Sequence, residues 1–289
     1  MKPPKFSYAA PETLEECLSL LTQYGDEAKI LAGGQSLMPL LNLRMVRPQV
    51  IVDIGRVRGL GTWKKDGRSV SIGALVRQRV IEIDKPLTEA IPMLAEVVPL
   101  IGHPATRSRG TIVGSMCHAD PAAELPLCAV LLGAEFLLRS STGSRVVKAN
   151  DFFEDALSTA TRSDEIVETV RLPVATTGSA YAFEELTRRH GDFALVSVGA
   201  AVETRDGRKD VRVALGGVSE RPVCFSYNGN VTDLADQTKI AEFGHHVARQ
   251  IEPNSDLHAT ADFRRSVAAT LIERTLLAAF ARAGTRSQA

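Results

Sequence analysis

The chain has 289 residues, enough for one large or two ordinary domains with real hydrophobic cores. At 44% apolar and 24% charged, its composition is that of a soluble globular protein. Lys+Arg and Asp+Glu both number 34, so no global field draws in nucleic acid or anionic lipid, and 5% aromatic residues offer little for base stacking.

The first ten residues are basic and contain proline but lack an apolar core, which predicts no secretory signal. No apolar run approaches the roughly 20 residues needed to span a bilayer. The four cysteines, Cys17, Cys117, Cys128 and Cys224, show neither CxxC pairing nor zinc-ligand spacing. They read as small buried hydrophobes in a reducing compartment, and the expectation is a cytoplasmic protein with no metal ligands of its own.

Phe6 and Tyr8 predict a short edge strand. Pro11-Glu12-Thr13 opens a helix whose apolar residues Leu14, Cys17, Leu18 and Leu21 recur with helical spacing, and Gly25-Asp26-Glu27 closes it. Residues 28–32 predict a buried strand that stops at Gly33 and Gly34. Paired glycines there can take positive φ and turn successive N–H groups to one side, where a phosphate can sit with no Cβ in its way. Ser36 adds a hydroxyl donor, and 36–43 read as a helical turn facing the same anion. Read alone, the motif is more simply a Gly-Gly turn. Residues 50–54 form a β-branched strand, giving βαβ-like order, yet neither GxGxxG nor GxxxxGKS/T occurs, so neither a Rossmann nor a P-loop reading is supported.

Asp66-Gly67 between 61–65 and 69–72 predicts a hairpin. Residues 73–76 lead into an Ile/Val-rich helix, and 87–98 read as one helix with Pro92 in its first turn. Residues 129–138 read as a helix end running into a strand, 140–144 as a turn, 146–147 as a short strand, and 151–153 as a loop or brief helix. A strand over 165–172 precedes Pro173, and the small-residue stretch 174–179 marks a domain boundary. Beyond it, 181–186, 194–203 and 211–218 predict strands, with a hairpin at Asp206-Gly207. Helices over 239–251 and 262–283 follow, the second with Thr260 as N-cap.

A second small-residue stretch, Thr111-Ile112-Val113-Gly114-Ser115, leads directly into His118-Ala119-Asp120-Pro121 and Glu124. A diphosphate needs donors from several directions, and two such loops from separate subdomains supply them; Asp120 or Glu124 suits a ribose. Two loops and a carboxylate describe a large nucleotide cofactor.

The runs AGGQSLMPLLNLRMVRP, TRSRGTIVGSMCHADPAAELP, DEIVETVRLP, TRRHGDFALVSVGAAV, GGVSERPV and DFRRSVAATLIERTL resemble the medium, FAD-binding subunit of the molybdenum-containing hydroxylases, the family of carbon monoxide dehydrogenase and xanthine dehydrogenase. The resemblance runs in order over nearly the whole chain. It implies an α+β fold: a vanillyl-alcohol-oxidase-type FAD-binding domain over 1–176, with subdomains of about 1–56 and 57–176. A C-terminal domain over 177–289, a small antiparallel sheet with helices, completes it. Carried over by motif, Ala32, Gly33, Gly34, Gln35, Ser36 and Leu37, with Thr111, Ile112, Val113, Gly114 and Ser115, would hold the FAD diphosphate. His118 and Asp120 adjoin it. Glu124 stands where relatives commonly have Asp near the ribose. Ile166 and Val167 match a position whose backbone meets the isoalloxazine, and Phe193 one with an aromatic beside it. Some relatives have Lys at the position of Glu184, so that cation's role does not transfer.

The resemblance further implies a redox subunit without a catalytic residue of its own. Its partners would be a molybdenum-cofactor large subunit and a 2Fe–2S small subunit, in a heterotrimer that itself dimerises. A stand-alone FAD-dependent oxidase or dehydrogenase is the alternative. It would need a basic group and a substrate pocket over the flavin. His103, His118 and Cys117 invite a catalytic or covalent-attachment reading, but proximity to the cofactor loop accounts for His118, and nothing adjacent activates Cys117. Arg107 and Arg109 can bind phosphate, present a docking surface or sit in a solvated loop; Arg188-Arg189 can anchor a partner or cap a strand end.

Overall fold

The computed structural model describes residues 2–205 and 208–286; the hairpin expected at Asp206-Gly207 lies outside the described residues. The chain opens with β1 (Ser7–Ala9), α1 (Leu14–Tyr24), β2 (Ala28–Leu31), α2 (Leu37–Asn42) and β3 (Val50–Asp53). The three strands form a parallel sheet in the order β1-β3-β2. Thr13 starts α1 with a capping box: its hydroxyl accepts from Glu16 N at 3.2 Å, and the Glu16 carboxylate accepts from Thr13 N at 3.3 Å. The uninterrupted apolar run Val50-Ile51-Val52 takes the buried centre of the sheet. That displaces β2, expected to be buried, to an edge where Lys29 is exposed and Ile30 and Leu31 are half-buried.

Next come β4 (Trp63–Asp66), β5 (Ser69–Gly73), α3 (Gln78–Ile83), α4 (Lys85–Ala90), α5 (Pro92–Val97), α6 (Pro104–Arg109), α7 (Ile112–His118) and α8 (Glu124–Leu132). They are followed by β6 (Glu135–Ser140), β7 (Gly143–Lys148), α9 (Ala149–Phe152), β8 (Phe153–Asp155), β9 (Ser158–Thr159) and β10 (Ile166–Pro173). Five strands make an antiparallel sheet in the order β4-β5-β10-β6-β7. The single helix expected over 87–98 is two: Ile91, at φ −133° and ψ 73°, separates α4 from α5, and Pro92 opens the second. Proline's ring pushes the preceding residue out of the helical region and its missing N–H breaks the ladder, which is tolerated only at a helix start.

The C-terminal region holds β11 (Ala180–Leu186), β12 (Val196–Arg205), β13 (Arg208–Gly216), β14 (Val223–Ser226), α10 (Gln237–Gln250) and α11 (Ala261–Arg286). The strands form an antiparallel meander in chain order. Strand β14 escaped the sequence reading because Val223-Cys224-Phe225-Ser226 is short and shows no alternation. Thr260 caps α11 as expected, its hydroxyl accepting from Phe263 N at 3.2 Å.

Strand alternation gives this sheet two apolar faces. Ala180, Ala182, Val198, Val211 and Val213 pack beneath α10 and α11, whereas Tyr181, Phe183, Ala201 and Ala214 join the core of the preceding region. The element between is α8, buried at all nine positions. It approaches closely because the sheet offers glycines: a Cβ on Gly199 would lie 2.7 Å from Met93 Cε and 2.9 Å from Leu127 Cδ2. Arg282 on α11 ties the two regions at the rim, pairing with Glu96 at 2.6 Å and donating to the Tyr181 carbonyl.

Leu127→Ala should therefore cost about 2–5 kcal/mol, since its side chain is wholly buried between two layers. Denaturant unfolding read by the Trp63 fluorescence and by far-UV circular dichroism checks this; a change under about 0.5 kcal/mol would mean the layers are not mutually stabilising.

Candidate functional site

The two glycine motifs meet. Gly33 leaves the C-terminal end of β2 and presses against the turn between α6 and α7; a Cβ there would lie 2.5 Å from the Arg109 carbonyl oxygen, 2.8 Å from Gly110 Cα and 3.0 Å from Thr111 N. Those neighbours are backbone atoms, which cannot swing away. Gly34 takes φ +74°, a conformation disfavoured for residues with a Cβ. Among the described residues, the first amide after Gly34 to find a partner within the chain is that of Met38, bonded to the Gly34 carbonyl at 3.2 Å. Ser36 precedes α2 without making a capping bond, so its hydroxyl is not spent on the helix. Gln35 folds back, Nε2 donating to the Gly33 carbonyl at 3.3 Å.

The second motif is the first turn of α7 rather than a loop. Thr111 caps it, accepting from Gly114 N at 3.0 Å. A Cβ on Gly114 would sit 2.4 Å from that hydroxyl oxygen and 3.8 Å from Ala32 Cβ, so this glycine also borders the first motif. Ile112 and Val113 are buried anchors, and Ser115 is half-exposed. The turn is held from behind by residues 76–78: Ile112 N donates to the Val76 carbonyl at 3.0 Å, Gln78 N to Gly110 at 2.9 Å, and Arg77 forms a β-bridge with Thr111.

Ala119, at φ +53°, ends α7 and turns the chain toward α8. Burial pushes the His118 imidazole pKa down, opposed by Asp120, so burial disfavours its charged form. Asp120 accepts from Ala122 N at 2.9 Å and so shapes the turn. Glu124, the first residue of α8, is 4% exposed, and burial pushes its carboxyl up to about 8. The charges of Glu185 and Asp120 add to that shift, while its own backbone amide opposes it. Burial raises Glu185 to about 7 as well; one of its carboxylate oxygens is buried without a partner, as is the hydroxyl of Ser197, directly across from it in β11–β12.

Ile166 and Val167 are buried at the start of β10, against which α7 packs. Glu165 fixes that start: it accepts from Arg145 Nε at 2.7 Å and Nη2 at 2.8 Å, and from Arg162 N at 2.8 Å, bonds that hold its carboxyl below the usual range. Phe193 lines a cleft to which neither glycine motif contributes a residue. It is 57% exposed between β11 and β12, and the cleft, of about 500 Å³, is shared with Pro121, Ala122, Arg188, His258 and Arg264.

Arg107 binds neither phosphate nor solvent. It is 6% exposed and grips Glu82 through Nε and Nη2, both at 3.0 Å, and the Ile101 carbonyl through Nη1 at 3.0 Å. Arg188 and Arg189 pair with Asp192. Glu184, on the opposite face of β11 from Glu185, pairs with Arg274. Burial raises the Cys17 and Cys224 thiols to about 11 and Cys117 to about 12, so they stay protonated at neutral pH. Among the described residues, no group of three or more His, Cys, Asp or Glu could hold a metal ion, and no helix is long and apolar enough to cross a membrane.

The chain thus joins a parallel and an antiparallel subdomain at this seam and follows them with a meander and two helices, and its family matches place it among flavoproteins. Residues 4–175 match the family described as the FAD binding domain in molybdopterin dehydrogenase, and residues 181–279 the CO dehydrogenase flavoprotein C-terminal domain. The chain belongs to this family, the medium, FAD-binding subunits of the molybdopterin hydroxylases. It is 38% identical to the 6-hydroxypseudooxynicotine dehydrogenase complex subunit alpha of Paenarthrobacter nicotinovorans, covering 98% of this chain and 97% of that one. Among solved structures it superposes on carbon monoxide dehydrogenase from Hydrogenophaga pseudoflava, which lacks the Mo-pyranopterin moiety, with TM-score 0.90 and 31% identity over 98% of this chain and 99% of that one. Quinoline 2-oxidoreductase from Pseudomonas putida 86 gives TM-score 0.89 and 35% identity over 98% and 99%.

Two outcomes test the site. Gly33→Ala should separate the motifs and reduce FAD affinity by at least about ten-fold, since only backbone displacement relieves the clash; titration with unchanged affinity would mean the seam is not where the cofactor sits. Because folding raises the Glu124 pKa, the native chain binds the extra proton. Its stabilising effect is complete below the ordinary carboxylate range and is lost as pH rises toward 8. Glu124→Gln, neutral at every pH, should therefore melt closer to wild type at about pH 5 and gain relative to it at about pH 9; parallel melting curves across this range would contradict the assignment.

Proposed function

We propose that this chain binds one FAD non-covalently and serves as the electron-transfer subunit of a multi-subunit molybdenum hydroxylase. The observation that carries this reading is the backbone contact at Gly33, which brings 32–37 and 111–115 side by side, closer than a Cβ at that position would allow. Residues 32–36 and 111–115 would hold the diphosphate, Glu124 a ribose hydroxyl, and the backbone at Ile166 and Val167 the isoalloxazine, with Phe193 beside the ring. His118 and Asp120 shape the turn between the second motif and Glu124. Bound FAD supplies one- and two-electron redox chemistry; the chain's residues bind it, orient it and exclude water.

The division into 1–176, with subdomains of about 1–56 and 57–176, and 177–289 belongs to the same reading. So do a cytoplasmic location, a molybdenum-cofactor large subunit, a 2Fe–2S small subunit and an assembly that dimerises as a heterotrimer. Electrons would pass from the partner's clusters to an external acceptor through this subunit. Its own residues support a carrier better than a self-sufficient oxidase: the thiols are protonated, and the His118 imidazole beside the second motif is half-buried, with its charged form disfavoured.

Acid precipitation of the purified chain should release FAD, one per chain, into the supernatant. Release of FMN, or colour retained on the pellet, would overturn the cofactor assignment. Anaerobic addition of purines, aldehydes, N-heteroaromatic compounds or carbon monoxide to the isolated holo-chain should leave the flavin absorbance unchanged; bleaching by any of them would favour the stand-alone oxidase or dehydrogenase.

A further inference from the structure

We infer that Arg77 is the cation of the diphosphate site, a guanidinium placed at the seam of the two glycine motifs although it belongs to neither. The inference rests on the cofactor reading above and adds a residue that no motif contains.

Arg77 lies directly across a β-bridge from Thr111, the first residue of the second motif. Its Nη1 donates to the Arg109 carbonyl, the same oxygen that Gly33 approaches most closely. One side chain therefore touches the atom where both motifs converge. The bond uses one of several guanidinium N–H donors and leaves the others available.

The charge on Arg77 is not neutralised. Among the described residues no carboxylate pairs with it, in contrast to Arg107, which has Glu82. Asp53 lies close enough for its field to act on Arg77 without an ion pair; its oxygens accept from Tyr8 Oη at 2.6 Å and Gly55 N at 2.8 Å. The other cation in reach, Arg109, is repulsive. A half-buried guanidinium that feels the repulsion of a second one is stabilised by an anion beside it. The glycine motifs present uncharged amide donors to a diphosphate bearing two negative charges, and Arg77 supplies the charge they lack.

Arg77→Gln tests this: glutamine removes the charge and, being two bonds shorter, also the reach to the Arg109 carbonyl, so the salt dependence separates the charge from the brace. The purified apo-chain is titrated with FAD and separately with ADP, which carries the diphosphate without the flavin, at about 50 mM and about 0.5 M salt. At low salt, Gln should weaken both ligands by roughly 10- to 100-fold, and the gap should narrow at high salt as screening removes the charge contribution. Arg77→Lys should recover part of the loss. Wild-type affinity in Arg77→Gln, or a loss that does not change with salt, would overturn the inference and leave Arg77 as a brace for the turn. A wild-type chain that binds neither FAD nor ADP would instead overturn the cofactor reading, and this inference with it.

Discussion

The site depends on the backbone-to-backbone approach of Gly33 to the turn at Arg109, Gly110 and Thr111. A parallel sheet and an antiparallel sheet, each with its own hydrogen-bond ladder, have no strand in common. They can present donors to a single diphosphate only if the loop leaving one reaches the helix start of the other. A Cβ at residue 33 would lie within 3.0 Å of three backbone atoms and push the two apart. The contact also explains the bracing behind it. Residues 76–78 bond to the turn, and Arg107 locks α6 to Glu82 on α3, which continues from them, so the second motif cannot retreat from the first.

The C-terminal sheet completes the site indirectly. Its glycines let α8 lie flat on it, and α8 in turn holds Glu124 largely out of water. A carboxyl so placed keeps its proton near neutrality, and Glu185 across the same layer keeps the raised pKa in place. The Gly217 amide bonds to the Pro121 carbonyl at 2.8 Å, binding the turn before α8 to the sheet edge that also frames the cleft beside Phe193. Packing, proton affinity and access to the cofactor are thus set by one interface.

Much of this was legible in the chain. The β-branched run 50–52, the helix opening at Pro11-Glu12-Thr13, the Asp66-Gly67 hairpin and the Thr260 cap are local, and local chemistry decides them. Both glycine motifs were legible because small residues at close spacing stand out locally. What escaped depends on distant partners. That β2 is an edge is decided by which strand takes the centre. That Thr111 caps a helix, rather than opening a loop, depends on α7 forming against β10. Arg107 and Arg77 look alike in sequence, yet one is sealed in an ion pair and the other stands at the seam, because Glu82 and Asp53 are committed differently. Neither Glu185 nor Ser197 carries a motif, and only strand register places their buried atoms opposite each other.

The most direct test is a crystal structure of the chain with FAD bound. The account places the diphosphate within hydrogen-bond reach of backbone amides from 33–36 and from 111–115 at once, across the contact at Gly33. A diphosphate bound by one motif alone, or lodged in the cleft beside Phe193, would contradict it.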